Sequence, residues 1–366
     1  MNDAALTEEN GRAWAKAVPY DVRDEGVRDY LKALKTSKAL VRAGHAKKFE
    51  VSFRSRKAEQ QSLVVHKKHW AHRRGDYADV FGASVLRGHQ RLPEKLESDS
   101  RLVRTRLGHY YLCMPVAIEI QAAGMETGCD DERGDNQVPP DVVNSRRRRR
   151  HAVISLDPGV RTFMTGYDAD GRTAEWGAGA MRHITALCEV LDDLQSRWSQ
   201  AHVRARKRYR LRKAARRVRL RIRNTIDDLH RRLAKWLCES YRVVLLPVFE
   251  TSRMVRKGYR RRLASKTARA MCTLSHYRFR ERLLAKAREY PDCRVVLTEE
   301  PYTSKTCGAC GWLHQKLGGA KEFRCGRVGC GAVFDRDLNG ARNILLRYLT
   351  LHCKEDAPTL NSNSSV

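Results

Sequence analysis

The stretch VISLDPGVRTFMTGYDADGRTAEW, residues 153–176, decides the fold class of this chain. A short apolar segment runs directly into Asp157, and Asp168–Gly171 has the composition of a tight hairpin turn. Apolar and β-branched residues bounded by such turn formers are typical of strands. The pattern predicts three successive strands at 153–156, 161–167 and 172–176.

Downstream of this stretch, helical spacing alternates with short apolar runs. Apolar residues spaced three and four apart predict an amphipathic helix through Ile184, Leu187, Leu191, Leu194 and Trp198. The uninterrupted runs 243–249 and 294–298 are typical of central strands that are covered on both faces. A terminal helix is predicted over 338–352. Buried strands that alternate with helices indicate an α/β core.

The charge of the chain indicates an anionic partner. Lys and Arg number 72 against 42 Asp and Glu, which gives a formal net charge of +30. Clustered cations on this scale favour a nucleic acid over a merely solubilising surface, because phosphates neutralise the self-repulsion. The start of the chain, MNDAALTEENGRAW, lacks a signal peptide, and no apolar run is long enough to span a bilayer. We therefore expect a soluble, intracellular protein.

Two runs of cations are the candidate phosphate contacts. The segment 201–223 holds twelve Lys or Arg and no acid, and it continues the predicted helix. Five consecutive arginines follow an acidic, turn-rich stretch that resembles a linker. A solvated helix face and a solvated linker are the alternatives. The candidate contacts are Arg146, Arg147, Arg148, Arg149, Arg150, Arg204, Arg206, Lys207, Arg208, Arg210, Arg212, Lys213, Arg216, Arg217 and Arg219.

Four of the eleven cysteines are clustered, at Cys307, Cys310, Cys325 and Cys330. Their x2 and x4 spacings can supply four thiolates in a tetrahedron, for which Zn²⁺ is the natural occupant. The x4 spacing is wider than the usual x2, and an accidental group of free thiols is the alternative. A site closed by four protein ligands is structural, so this zinc is not expected to do chemistry.

Acidic side chains stand at the ends of predicted strands and at the start of a predicted helix. Asp157 ends the first strand, Glu299 and Glu300 end the run 294–298, and Asp337 begins the terminal helix. Hard oxygen ligands that converge at one sheet edge can hold the Mg²⁺ ions used in phosphodiester hydrolysis. Each acid also has an ordinary reading: Asp157 could open a turn, and Asp337 could cap the helix.

Four strings, in order, resemble one known family. They are SLDPGVRTFMTGY, LLPVFETSRMV, EEPYTSKTCGACG and FRCGRVGCGAVFDRDLNGARNI, and the upstream WAKAVPYDVRD, KKFEVSFRSRK and GHYYLCMPV agree with them. Together they are similar to the TnpB proteins of mobile elements, and most closely to their Fanzor relatives. The resemblance covers roughly residues 13–350 and is most specific over 151–346.

This resemblance implies an α/β fold with an RNase H-like (RuvC) core and an inserted zinc ribbon, preceded by a smaller β-rich wedge-like domain with helices. We expect a wedge-like nucleic-acid-binding region at 1–120, an acidic then Arg-rich linker at 121–150 and a nuclease core with basic helical insertions at 151–302. The ribbon is expected at 303–334, the final RuvC segment at 335–353 and a disordered tail at 354–366.

The same resemblance implies an RNA-guided DNA endonuclease with catalytic Mg²⁺ and structural Zn²⁺, and guide RNA and target DNA as partners. Asp157 and Asp337 match the first and third RuvC acids. The family's middle glutamate is replaced here by Pro247, so Glu300 is chosen for this role by its place before the YTSKTC string. Glu299 and Glu250 are the reserve candidates.

Two other readings stay open. One is a nuclease that acts without a guide. The other is a catalytically impaired or truncated transposase-like protein that only binds nucleic acid, since the chain is short at its N-terminus relative to the family. The nucleus is the expected location if the host is eukaryotic. The sequence does not determine the oligomeric state.

Overall fold

A computed structural model describes residues 13–52, 55, 58–70, 90, 95–118, 120, 151–255, 264–298, 302–315, 317–318 and 320–352. The chain divides into two compact units, 1–118 and 119–366. Each unit is described by itself.

The first unit joins one helix to a three-stranded antiparallel sheet. Its elements are α1 (Tyr20–Arg42), β1 (Gln60–Val65), β2 (Ser100–Thr105) and β3 (Tyr110–Cys113). Gly108, at φ +87°, turns the chain between β2 and β3, and its N–H donates to the Thr105 carbonyl. Val65, Trp70 and Leu96 form a small core. Alternating apolar and polar residues over 48–66 predict strands, but the described part of 48–59 contains no strand and β1 begins at Gln60.

The second unit is built on a five-stranded mixed sheet. Its strands are β4 (His151–Pro158), β5 (Met164–Asp168), β6 (Thr173–Trp176), β7 (Tyr241–Pro247) and β8 (Arg294–Thr298). Their order across the sheet is β6-β5-β4-β7-β8. The first three strands pair antiparallel, whereas β4, β7 and β8 run parallel. The three strands predicted from residues 153–176 are therefore confirmed.

The turn between β5 and β6 shows why the local sequence folds this way. Asp168 Oδ1 accepts hydrogen bonds from the backbone N–H groups of Asp170 and Arg172, at 3.0 and 2.8 Å. Gly171 takes φ +81°, a conformation that costs glycine little. The Asp168 carboxylate is 1% exposed, so burial of its charge is offset by these local donors.

Among the described residues of this unit, helices fill the connections between the parallel strands, and a last helix, α7, follows β8 in the chain. They are α2 (Ala180–Ser199), α3 (Ala205–Ser240), α4 (Thr251–Val255), α5 (Ser265–Leu274), α6 (His276–Ala287) and α7 (Arg336–His352). The prediction that 201–223 continues the preceding helix is wrong, because α2 ends at Ser199 and a turn precedes α3. Arg208 Nη2 donates to the carbonyl oxygens of Gln200 and Ala201 just beyond the end of α2, at 3.3 and 3.4 Å, and so helps to close the turn.

Both faces of the five-stranded sheet are covered by apolar side chains. On one face the core includes Leu156, Phe163 and Leu237, and on the other Leu245 packs with Ile344 of α7. The prediction that 294–298 is a central strand is wrong within the described part of the chain, where β8 is an edge strand. An uninterrupted apolar run fits either position, and the pairing alone decides between them.

Two buried histidines contact the Phe163 ring. His230 and His276 each stack on that ring with 4.9 Å between ring centroids. The ring of His230 contacts the Leu274 carbonyl oxygen through Nε2 and Arg282 Nη1 through Nδ1, both at 3.0 Å. Burial lowers the pKa of each histidine to about 4. Both rings are therefore neutral in the folded protein at neutral pH.

Acidification should destabilise this core before the carboxylates titrate. In the unfolded chain each histidine takes up a proton below about pH 6.5, whereas the folded protein resists protonation down to about pH 4. Stability is therefore full above pH 6.5 and is lost as the pH falls towards 4, by roughly 2 kcal/mol per histidine at pH 5. Urea unfolding at pH 7 and pH 5 measures this loss.

The His276→Phe variant should lose less stability on acidification than the unmodified chain, because the ring stack is kept without a titratable group. His183→Gln, on an exposed part of α2, should leave the acid dependence unchanged. Equal pH dependence in the unmodified chain and His276→Phe would contradict the assignment for His276.

Candidate active site

The carboxyl ends of three parallel strands lie at the same edge of the sheet. Ser155 of β4 is in register with Leu245 of β7, and Pro247 of β7 is in register with Thr298 of β8. Extending the first register by two residues places Asp157 level with Pro247 and Thr298. Side chains at these strand ends and just beyond them therefore face a common edge.

Asp157 contacts the terminal helix α7 at that edge. A Cβ atom built on Gly340 would lie 2.7 Å from Asp157 Oδ2, so the carboxylate sits directly against the helix backbone at Gly340. Ser155 Oγ donates to the Ala341 carbonyl oxygen at 2.7 Å, which fixes strand and helix together. Residues three apart on a helix lie on the same face, with Cβ positions roughly 5–6 Å apart. Asp337 therefore lies on the face of α7 that carries Gly340. The contact therefore places Asp157 beside the helical turn that begins at Asp337.

Asp337 does not cap its own helix. The cap is Asp335, whose Oδ1 accepts the backbone N–H groups of Asp337 and Leu338 at 2.9 and 3.3 Å. The Asp337 carboxylate makes no hydrogen bond within the described part of the chain. Burial, and secondarily the Asp335 carboxylate, raises the pKa of Asp337.

The candidates for the third acid are Glu300, Glu299 and Glu250. Glu300 and Glu299 lie outside the described residues, directly after β8. Glu250 is exposed at the start of α4, where its Oε2 lies 2.7 Å from Arg253 Nη1. It is therefore engaged in a surface ion pair, whereas β8 ends at the edge that carries Asp157.

The four clustered cysteines converge as a metal site requires. One sulfur from each of Cys307, Cys310, Cys325 and Cys330 lies within 4.8 Å of the others. The Sγ atoms of Cys310 and Cys325 are 3.6 Å apart, and those of Cys307 and Cys330 are 4.0 Å apart. Four thiolates around one Zn²⁺ at about 2.3 Å would be spaced ~3.8 Å apart, so the residues fit this ion. The Trp312 backbone N–H lowers the pKa of Cys310 to about 7, which favours the thiolate.

Two asparagines, missed by sequence reasoning, join this cysteine module to α7. Asn339 Oδ1 accepts the Gly308 N–H at 2.9 Å, and its Nδ2 donates to the Thr306 carbonyl at 2.8 Å. Asn343 Nδ2 reaches the carbonyls of Thr303 and Thr306 at 2.8 and 2.7 Å. The sequence feature that could have identified this link is a pair of asparagines four positions apart on an otherwise apolar helix face. Asp337 is thus two residues from a direct link to the cysteine module.

The long helix α3 presents a cationic face. Its buried side is apolar and includes Leu211, Ala215 and Ile222. The predicted phosphate contacts divide by exposure: Arg208, Lys213 and Arg216 are half-buried, and the exposed ones are Arg204, Arg206, Lys207, Arg210, Arg212, Arg217 and Arg219. Arg146–Arg150 lie outside the described residues. The exposed set extends along one helix, as binding to a phosphate backbone requires.

Comparison with known proteins gives one family match and several relatives. The family model described as "Cas12f1-like, TNB domain" matches residues 276–344, which include the cysteine module and the start of α7. The chain is 26% identical over 350 residues to the putative transposase A625R of Paramecium bursaria Chlorella virus 1, covering 93% of this chain and 72% of that protein.

Two further relatives match shorter segments. TnpB-like protein L79 of Acanthamoeba polyphaga mimivirus is 26% identical over 194 residues, covering 52% of this chain and 36% of its own length. A putative RNA-guided DNA endonuclease of Streptomyces pristinaespiralis is 32% identical over 139 residues, covering 38% of this chain and 32% of that protein. This chain therefore spans about a third of the length of these two relatives. No helix among the described residues has the length and apolarity needed to cross a membrane.

Proposed function

This chain belongs to the TnpB family, and from that premise we propose that it is an RNA-guided DNA endonuclease of a mobile element, closest to the Fanzor branch. The observation that carries the proposal is the contact of the Asp157 carboxylate with Gly340 of α7, which lies one helical turn from Asp337. Two acids separated by 180 positions in sequence would thereby meet at one sheet edge. The strand order, with two antiparallel and two parallel pairings, supports an RNase H-like core for this site.

The proposed domains follow the predicted boundaries, with the nuclease core over 151–302, the zinc ribbon over 303–334 and the final RuvC segment over 335–353. Asp157, Glu300 and Asp337 would hold Mg²⁺, since hard carboxylate oxygens are its preferred ligands. When bound, Mg²⁺ stabilises negative charge on the attacking and leaving oxygens of a phosphodiester. The four cysteines would hold Zn²⁺ in a structural site. The cationic face of α3 would contact the phosphates of guide RNA or target DNA.

One observation favours the alternative of a catalytically impaired nucleic-acid-binding protein. Pro247 lies level with Asp157 on the neighbouring strand, where the family resemblance implies a glutamate. If no other acid replaces that glutamate, the site holds two acids, and cleavage is lost while the basic surface stays. The active nuclease and the impaired nucleic-acid-binding protein are therefore distinguished by whether a third acid completes the site.

The function is tested by purifying the protein together with the RNA from its own locus. We expect one discrete RNA to co-elute, and this complex to cut DNA that matches the RNA when Mg²⁺ is present. Cleavage without any RNA would indicate a guide-independent nuclease. Retention of nucleic acid without cleavage in Mg²⁺ or Mn²⁺ would favour the impaired alternative.

The third acid is tested by three glutamine substitutions. Glu300→Gln should abolish cleavage, because the amide lacks the charge that holds Mg²⁺ at the strand edge. Glu250→Gln should leave cleavage unchanged, since Glu250 is exposed and paired with Arg253. Glu299→Gln is the matched neighbour and should have little effect, because Glu300 is the residue chosen by its place before the YTSKTC string. Loss of cleavage in Glu250→Gln alone would show the assignment to be wrong.

A further inference from the structure

The three-stranded sheet of the first unit carries a row of side chains that its small core does not use. One leucine from each strand packs against that core, and these leucines, opposite one another in register, are Leu63, Leu102 and Leu112. Side chains two positions apart on a strand lie on the same face of a sheet. The next row on this face therefore consists of Gln61 of β1, Arg104 of β2 and Tyr110 of β3, which are also opposite one another.

This second row combines an aromatic ring, a cation and an amide. Tyr110 is 61% exposed, and the Arg104 guanidinium lies 5.9 Å from the centre of its ring. Among the described residues, Arg104 has no carboxylate partner and the Gln61 amide has no hydrogen bond. Cross-strand neighbours have Cβ atoms roughly 5 Å apart, so the three side chains extend over roughly 10 Å. The row therefore offers three kinds of contact within the length of one nucleotide.

Two members of this row also line a pocket of about 90 Å³. The pocket is lined by Ala58, Gln61, Arg104, Thr105 and Arg106. This volume is several times the roughly 15 Å³ that one water requires, so it has room for one phosphate group but not for a whole nucleotide. Arg106 Nη1 lies 3.6 Å from Oε1 of Glu59, whose side chain is 77% exposed. This surface ion pair leaves other guanidinium N–H groups of Arg106 for a ligand.

The chemistry of the row and the pocket matches a phosphate with an adjoining base. Guanidinium groups bind phosphate oxygens through paired N–H donors, and two of them line the pocket. The exposed Tyr110 ring can stack against a base, whatever its identity. A base is free to stack on a side chain only where it is not paired within a duplex. The arrangement therefore favours a single strand over a duplex.

We propose that the first unit binds one nucleotide step of a single-stranded nucleic acid here, with the phosphate between Arg104 and Arg106 and the adjoining base on Tyr110. The Gln61 amide, which is both donor and acceptor, would contact the sugar or the edge of that base. The inference deepens the proposed function and rests on it for the nucleic-acid partner, but it does not involve the proposed catalytic acids. Unpaired RNA and unpaired DNA share this chemistry, and the test separates the two sources.

The first test maps the contact by crosslinking. The full-length protein, freed of nucleic acid, is irradiated with single strands of about twelve nucleotides that carry 5-iodouridine in RNA or 5-iododeoxyuridine in DNA. We expect a crosslink at Tyr110, kept in Tyr110→Phe and reduced in Arg104→Ala. Tyr111→Ala is the matched control, because Tyr111 is 49% exposed but lies on the opposite face, and it should keep the crosslink. The strand with the higher yield identifies the source, and no crosslink at Tyr110 from either strand would overturn the proposal.

The second test measures the affinity of the same strands by filter binding. Tyr110→Ala should weaken binding of the preferred strand by about tenfold, as expected for a lost stacking contact. The double variant Arg104→Ala, Arg106→Ala should lower the slope of log affinity against log salt by roughly 0.7, the value for one phosphate of a single strand. Arg101→Ala is the control, since Arg101 lies on the other face of β2 and its Nη1 donates to Ser62 Oγ at 3.1 Å.

Thermal unfolding of each variant shows whether the fold is kept, which we expect because Arg104, Arg106 and Tyr110 are exposed. Unchanged affinity in Tyr110→Ala, together with an unchanged salt slope in the double variant, would overturn the proposal. These outcomes are independent of cleavage. A protein that cleaves DNA without a crosslink at Tyr110 contradicts this inference alone, whereas a crosslink without any cleavage contradicts only the proposed nuclease.

Discussion

Asp157→Ala and Asp337→Ala should each abolish Mg²⁺-dependent DNA cleavage while leaving nucleic-acid affinity in place. The expected loss is on the order of 10³-fold or more, as for other catalytic residues that act as one unit. For the same reason, the double variant should be no slower than either single variant. Single-turnover cleavage and a filter-binding measurement on the same preparations separate catalysis from binding. A loss of affinity as large as the loss of cleavage would mean that these acids are structural.

Gly340→Ala tests the geometry of this site without removing an acid. The added methyl group would lie 2.7 Å from Asp157 Oδ2, so the carboxylate must move away from α7. Alanine within a helix is favoured over glycine by roughly 1 kcal/mol, so α7 itself should not be weakened. We expect slower cleavage with unchanged thermal stability. Asp170→Ala, in the exposed hairpin turn after β5, is the control for general effects of removing an acid.

Cys325→Ser should release the zinc and disorder the cysteine module, because metal binding and folding of such modules are one event. The unmodified protein should carry one zinc per chain by elemental analysis, and the variant none. Cleavage should fall as well, since Asn339 and Asn343 tie the module to the helix that carries Asp337. Limited proteolysis should show new cuts between residues 303 and 334.

The matched control is Cys272→Ser, an exposed cysteine outside the module, which should keep both zinc and cleavage. Freshly purified, reduced protein that contains no zinc would refute the assignment. Full zinc occupancy in Cys325→Ser would equally exclude this cysteine as a ligand.

Local sequence patterns were sufficient to predict those features that depend on residues close together in the chain. The hairpin that closes at Gly171 and the helix period of α3 each depend on residues a few positions apart. The four cysteines were found in the same way, since two short spacings and chemically specific side chains indicate one metal site. The prediction that α2 and α3 form one helix was wrong because a turn of a few residues hardly changes the spacing of the apolar residues on either side of it.

The sequence by itself determined the five strands of the larger sheet, the cationic helix and the likeness to the TnpB family, because these depend on local periodicity and on motif strings. Only the tertiary structure decided that Asp157 rests on Gly340, that Asp335 rather than Asp337 caps α7, and that β8 lies at the edge of the described sheet. The physical reason is that strand pairing and helix packing join residues far apart in the chain. Local patterns constrain which elements form, but the register of the sheet decides which side chains meet.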